Sequence, residues 1–152
     1  MKLFYPVQVF FNKTQQHEIQ EAIAQAEHNT SGEIRVHIER SCKGEPVECA
    51  VKVFEKLKMH ETVLKNGVLF YLSVKDRKFA VIGDKGINDV VPPDFWDTIK
   101  EKMLSNFIKN NFTEGLCEGI KLAGTKLKEH FPFQKNDTNE LPNEISFGKN
   151  KE

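Results

Sequence analysis

The sequence predicts an α/β fold: a three-layer α/β/α sandwich whose small mixed sheet is built on a central hairpin and carries helices on both faces. Three observations predict it. The run Val68-Leu69-Phe70-Tyr71-Leu72 is apolar without alternation, so both faces of that strand must be covered. Lys75-Asp76-Arg77-Lys78 turns the chain into a second apolar run, Phe79-Ala80-Val81-Ile82, which makes a hairpin. Segments with apolar residues at helical spacing flank these strands and supply the covering layers.

Each element follows in chain order. An arm with Val7, Val9, Phe10 and Phe11 is expected to dock on the domain, and Thr14 is read as the N-cap of a first helix reaching about Asn29, with Ile19, Ala22, Ile23 and Ala26 as its buried stripe. Thr30-Ser31-Gly32 breaks that helix. Glu33 to Glu39 then alternates, Ile34, Val36 and Ile38 against Glu33, Arg35, His37 and Glu39, as a strand with one polar face does. Pro46 opens a second helix to about Lys58, with Val47, Ala50, Val51, Phe54 and Leu57 as its stripe. Strand, helix, strand in that order makes the first two strands parallel. Pro92-Pro93-Asp94 starts a third helix buried through Phe95, Ile99, Met103 and Phe107 or Ile108; Asp94 and Asp97 oppose its dipole. A fourth begins at Thr113-Glu114, uses Leu116, Ile120, Ala123 and Leu127, packs closely at Gly119 and Gly124, and ends at Phe131-Pro132. Residues 1–133 form a single domain; 134–152 are polar but for Leu141, Ile145 and Phe147 and read as a loosely docked or disordered tail.

Composition narrows the function classes. Lys plus Arg and Asp plus Glu each total 22, so no basic excess points to nucleic acid or an anionic membrane. No segment approaches the roughly 20 apolar residues of a membrane span, and Pro6, Gln8, Asn12 and Lys13 interrupt the N-terminus before a signal core forms. Cys42, Cys49 and Cys117 make an odd count without a CxxC pair, which fits reduced thiols and a cytoplasmic protein.

Single motifs are weak. His60-Glu61 begins an HExxH, but Leu64 stands where the second histidine belongs. Asp137-Thr138-Asn139 begins a calcium loop whose remaining ligands do not follow. Gly83 and Gly86 allow a tight turn or close approach to a ligand. Cys42, near Arg40 and Lys43, has no histidine placed to serve it as a nucleophile. Topology carries more. The starts of strands one and two and the end of strand three share one sheet edge, which places Ser31, Glu33, Asn66 and Asp84 there and lets the following loop bring Asp89 or Asp94 over it. Carboxylates with amide and hydroxyl oxygens suit a hard cation, calcium or magnesium. The opposite edge, with Arg40, Ser41, Cys42, Ser73 and Lys75, is where open α/β sheets more often bind ligands.

Ser31-Gly32-Glu33-Ile34-Arg35-Val36, Asn66-Gly67-Val68-Leu69-Phe70-Tyr71-Leu72 and Asp76-Arg77-Lys78-Phe79-Ala80-Val81-Ile82-Gly83-Asp84-Lys85-Gly86-Ile87 together resemble the TPM-domain family, once catalogued as a domain of unknown function. The resemblance runs from about Lys13 to Pro132 and includes Pro93-Asp94 and Phe112-Thr113-Glu114-Gly115-Leu116. It implies the same α/β/α sandwich. It also implies divalent-cation binding, calcium in particular. Relatives include a thylakoid-lumen protein linked to photosystem II repair and reported as an acid phosphatase, and an auxiliary subunit of acetylcholine receptors. Glu33, Asp84 and Asp94 match acidic positions of its motifs, although Asp84 stands where many relatives carry an aromatic residue.

The expectation is therefore a soluble domain that binds a divalent cation, calcium (Ca2+) before magnesium (Mg2+), through Glu33, Asp84, Asp89 and Asp94. Metal-assisted phosphatase chemistry, with Lys85 neutralising a phosphate oxygen, is the enzymatic form of that reading. The alternative is a non-catalytic interaction or adaptor domain using Phe95-Trp96 or the N-terminal arm.

Overall fold

The computed structural model describes residues 6–133 and 139–148. A four-stranded mixed sheet runs through the molecule, with strands β1 (Glu33–Glu39), β2 (Gly67–Ser73), β3 (Lys78–Gly83) and β4 (Ser146–Phe147) in the order β3-β2-β1-β4. β1 is parallel to β2 and to β4, and β3 returns antiparallel to β2. Every residue of β2 is buried, as its unbroken apolar run requires.

Helices α1 (Lys13–Glu27), α4 (Phe95–Phe107) and α5 (Phe112–His130) cover one face, and α2 (Pro46–Lys56) covers the β2–β3 half of the other. The first core joins Ile34, Val36, Ile38, Phe70 and Val81 to Ile19, Ile23, Ile99, Met103, Leu116 and Ile120. The second joins Leu69, Tyr71 and Ala80 to Ala50, Val53 and Phe54 of α2. Odd and even positions of each strand thus feed different cores, as the two-residue pleat dictates. Gly119 and Gly124 let α5 press against Met103 and Ala26, where a Cβ would meet their atoms at 2.7 Å.

Several expectations are corrected. The first helix is capped by Asn12, which shares a reciprocal capping box with Gln15 at 2.8 and 2.9 Å, rather than by Thr14. On α2 the buried set is Ala50, Val53 and Phe54, while Val47 and Val51 are 47% and 42% exposed. The helix has turned its face toward β2 and β3, and the two valines flank the contact. Cys42 and Cys49 are joined in a disulfide with Cα atoms 6.2 Å apart, so the reduced-thiol expectation fails and the thiol argument for a cytoplasmic setting goes with it. Cys42 is accordingly no free nucleophile. Cys117 is the free cysteine, and burial pushes its thiol up to about 11, away from nucleophilic chemistry at neutral pH.

The tail also departs from expectation where it is described. Leu141 and Ile145 are buried, and β4 adds to β1 through His37–Ser146 and Ile38–Phe147. This segment covers the polar face of β1: Glu33 is 2% and His37 5% exposed. Residues 134–138 and 149–152 of the expected tail, including the start of the calcium-loop resemblance at Asp137 and Thr138, lie outside the described residues. Among the described residues no helix is long and apolar enough to cross a membrane.

Candidate functional site: a carboxylate pocket at one sheet edge

The expected edge forms. Glu33 pairs with Gly67 in the parallel register, and the amide of Asp84 donates to the carbonyl of Gly67 at 2.9 Å. Asn66, 1% exposed, donates through Nδ2 to the carbonyl of Ser31 at 3.1 Å. The starts of β1 and β2 and the end of β3 are therefore one rim. Glu33 and Asp84 sit two strands apart on it, about 10 Å between their backbones from the strand spacing.

Asp84 caps the short helix α3 (Lys85–Asn88), accepting from the Lys85 amide at 2.7 Å, the bland role available to an acid at a helix start. Asp89 is exposed at the other end of that helix, and Asp94, also exposed, precedes α4 without a side-chain cap bond. Among the described residues no three His, Cys, Asp or Glu side chains gather in metal-binding proximity. At Gly86 a Cβ would clash with the carbonyl oxygens of Leu64 and Lys65, so the glycine lets two backbone segments touch. Lys85 is exposed on α3, and His60 is exposed in the turn Met59–Glu61.

Glu33 meets a different partner. Glu27, at the end of α1, is brought beside it by the short Thr30-Ser31-Gly32 link, where Ser31 donates its amide to the Phe131 carbonyl at 2.9 Å. The two carboxyl groups lie close enough for each to weigh on the ionisation of the other. Burial, with the Glu33 charge beside it, pushes Glu27 up to about 8, against the lowering effect of the Ile34 amide that donates to Glu27 Oε2 at 2.8 Å. Burial also raises Glu33, opposed by the amides of Glu140 and Leu141, which donate to its carboxylate at 2.6 and 3.4 Å. With the amide of Asn139 turned to satisfy both its atoms, its nitrogen donates to Glu33 Oε2 at 2.7 Å.

Around the pair lies a pocket of about 250 Å³, whose polar lining includes Thr30, Ser31, Asn139 and Asn143. Its donors are oxygens and amides, without sulfur, and His28 is the one imidazole on its wall. Sequence reasoning passed over Glu27. The available signal was position: Glu27 stands four residues after Ile23 and next to Ala26, on the flank of the buried stripe rather than its solvent side.

A parallel pair with a returning antiparallel strand between helical layers is the architecture of a three-layer α/β/α sandwich. A sequence profile of the TPM domain matches residues 7–126, and the chain belongs to the TPM-domain family. The BA42 protein of the psychrophilic bacterium Bizionia argentinensis, solved by NMR, is 48% identical with a TM-score of 0.86; the match covers 91% of this chain and 96% of that one. The N-terminal domains of cg2496 from Corynebacterium glutamicum and of a P. gingivalis protein share the fold at 11% and 18% identity. Their TM-scores are 0.64 and 0.67, covering 84% and 83% of this chain and 83% of each of those. No curated protein matches the chain.

Proposed function

We propose that this TPM domain binds a divalent cation, calcium before magnesium, between Glu27 and Glu33, with oxygen ligands from Ser31, Asn139 and Asn143. The supporting observation is the carboxyl pair itself. Two half-buried or buried acids that raise each other's affinity for a proton are the arrangement a hard cation relieves, since its charge offsets theirs and its oxygen preference matches the lining. Calcium is favoured because it accepts irregular sets of six to eight oxygens, whereas magnesium demands a near-ideal octahedron. A bound ion would supply Lewis acidity and an activated water, the chemistry that the phosphatase reading needs.

Calorimetric titration tests this. Calcium is expected to bind more tightly at pH 8 than at pH 5.5, because binding expels the proton, and Glu27→Gln with Glu33→Gln is expected to abolish the heat. Asp84→Asn with Asp94→Asn is expected to leave it unchanged; loss of binding in that pair instead would move the site to the wider acidic rim. Metal-dependent hydrolysis of a chromogenic phosphate ester, lost in Glu33→Gln, would add the enzymatic step, and equal turnover in that variant would remove it.

A further inference from the structure

We propose that the pocket beside α2, at the carboxyl ends of β1 and β2, binds a compact and multiply charged oxyanion, the phosphate or diphosphate group of a small molecule. Glu33 begins β1 and this pocket lies past its other end, so the proposal does not rest on a cation between Glu27 and Glu33. Arg40, Ser41 and Cys42, which follow β1, help to line a cavity of about 460 Å³, within the roughly 300–1,000 Å³ of small-molecule sites. Its apolar lining is Val53, the Tyr71 ring and the Cys42–Cys49 bridge. Open α/β sheets bind ligands at this end of their parallel strands.

Charge is concentrated here. The chain as a whole balances 22 basic residues with 22 acidic ones, whereas this lining sets Arg40, Lys43, Lys52 and Lys56 against Glu39 alone. Lys43, Lys52 and Lys56 are exposed, and among the described residues they form no ion pair. Glu39 is already engaged: its Oε1 meets His37 Nε2 at 3.1 Å, and its Oε2 packs against Gly148. Helix α2 sorts its side chains accordingly. Lys52 and Lys56, four residues apart on one flank, line this pocket, while Val47, Val51 and Glu55 line the groove on the other flank. A concave site of one charge sign focuses its field on a counter-ion.

Tyr71 separates a built site from a solvated basic face. It is 1% exposed and lines this pocket, yet its hydroxyl has no hydrogen-bond partner among the described residues, its ring contact being with His37. Buried hydroxyls are ordinarily paired. Burial, with the Glu39 and Asp76 charges nearby, raises the phenol above its ordinary range, so it keeps its proton and donates. Asp76 is occupied by the Cys42 amide and the Ser73 hydroxyl. A buried donor surrounded by cations fits a guest that accepts hydrogen bonds and carries more than one negative charge, as a phosphate does and a single carboxylate does not. The Cys42–Cys49 bridge ties the loop carrying Lys43 to the helix carrying Lys52 and Lys56, so the cations are placed before the guest arrives, which lowers the ordering cost of binding.

Titrating the labelled full chain, disulfide intact, with pyrophosphate in EDTA and following the amide shifts tests the proposal. EDTA removes any anion held through an ion at Glu27 and Glu33, so failure here and failure of the cation site are read apart. Saturable shifts are expected over residues 41–56 and at Tyr71, with pyrophosphate tighter than phosphate and acetate weakest. Lys52→Gln with Lys56→Gln is expected to weaken pyrophosphate about tenfold, and Tyr71→Phe, which keeps the ring, by about the same factor. Lys121→Gln with Lys128→Gln, on α5 across the sheet, makes the same change in net charge and is expected to leave the affinity unchanged. No saturation by about 10 mM pyrophosphate, equal weakening in the two lysine pairs, or a folded Tyr71→Phe protein that binds like the parent would each overturn the proposal. So would binding that appears only when calcium is restored, since the anion would then sit at the Glu27–Glu33 edge. The lysine pairs are exposed substitutions, so their comparison decides the matter even where Tyr71→Phe does not fold.

Discussion

Glu27 carries the sharpest consequence for a single side chain. Its carboxyl is raised to about 8 from an ordinary 4.5, first by burial and then by the Glu33 charge. A carboxyl raised on folding holds its proton more tightly in the native state. Its contribution to stability is fully present below about pH 4.5 and is lost as pH rises through about 8, because the unfolded chain ionises first. Without divalent ions, the melting temperature should fall across that window. Glu27→Gln keeps an oxygen for the Ile34 amide but has nothing to ionise, so its decline should be flatter. At pH 8 in EDTA the variant should melt about 2–4 °C above the parent, the shift expected for roughly 1 kcal/mol in a domain of this size. Parallel melting curves from pH 4.5 to 8 would mean that Glu27 is free to ionise in the fold.

Among the elements, α2 depends most on a covalent tie. It is the only long helix on its face of the sheet among the described residues, and its start is held by the Cys42–Cys49 bridge, which spans a separation of 7 residues. The loop is further anchored where Asp76 accepts the Cys42 amide at 2.9 Å and the Ser73 hydroxyl, and where Lys78 Nζ donates to the Gly44 carbonyl at 2.8 Å. Burial raises Asp76, and these donors with the Lys78 charge outweigh it and hold the carboxyl below its usual range. Closing so short a loop restricts the unfolded chain by about 2.5 kcal/mol. Reduction with a phosphine, or Cys42→Ser with Cys49→Ser, should cost about that much in urea unfolding while the strands persist in circular dichroism. A change within 0.5 kcal/mol, on the order of an ordinary surface substitution, would show that the hydrogen bonds alone position α2.

At the scale of the molecule, what could be read from the sequence was whatever burial writes as a pattern. The unbroken run of β2 marked a strand covered on both faces, and parallel then antiparallel pairing put Ser31, Glu33, Asn66 and Asp84 on one rim. Pattern fails where few residues decide. The disulfide leaves no periodic trace, and Glu27 is one acid beside an apolar stripe. The tail offered only three apolar residues, yet Leu141 enters the second core and the backbone amides of Glu140 and Leu141 satisfy Glu33. Those amides explain how a strand face reading as polar comes to be buried: the tail supplies the hydrogen-bond donors that burial of Glu33 demands. Leu141→Ala separates a docked segment from a loose one. Truncating a buried leucine costs about 2–5 kcal/mol when its site is part of the cooperative fold, and the low end, about 2 kcal/mol, is expected at a peripheral segment. Amide exchange across residues 139–148 should quicken in the same variant, and calcium affinity should fall because Asn139 and Asn143 are carried on this segment. A stability loss below about 0.5 kcal/mol would mean that the tail opens without unfolding the domain, and Glu33 would then face water for much of the time.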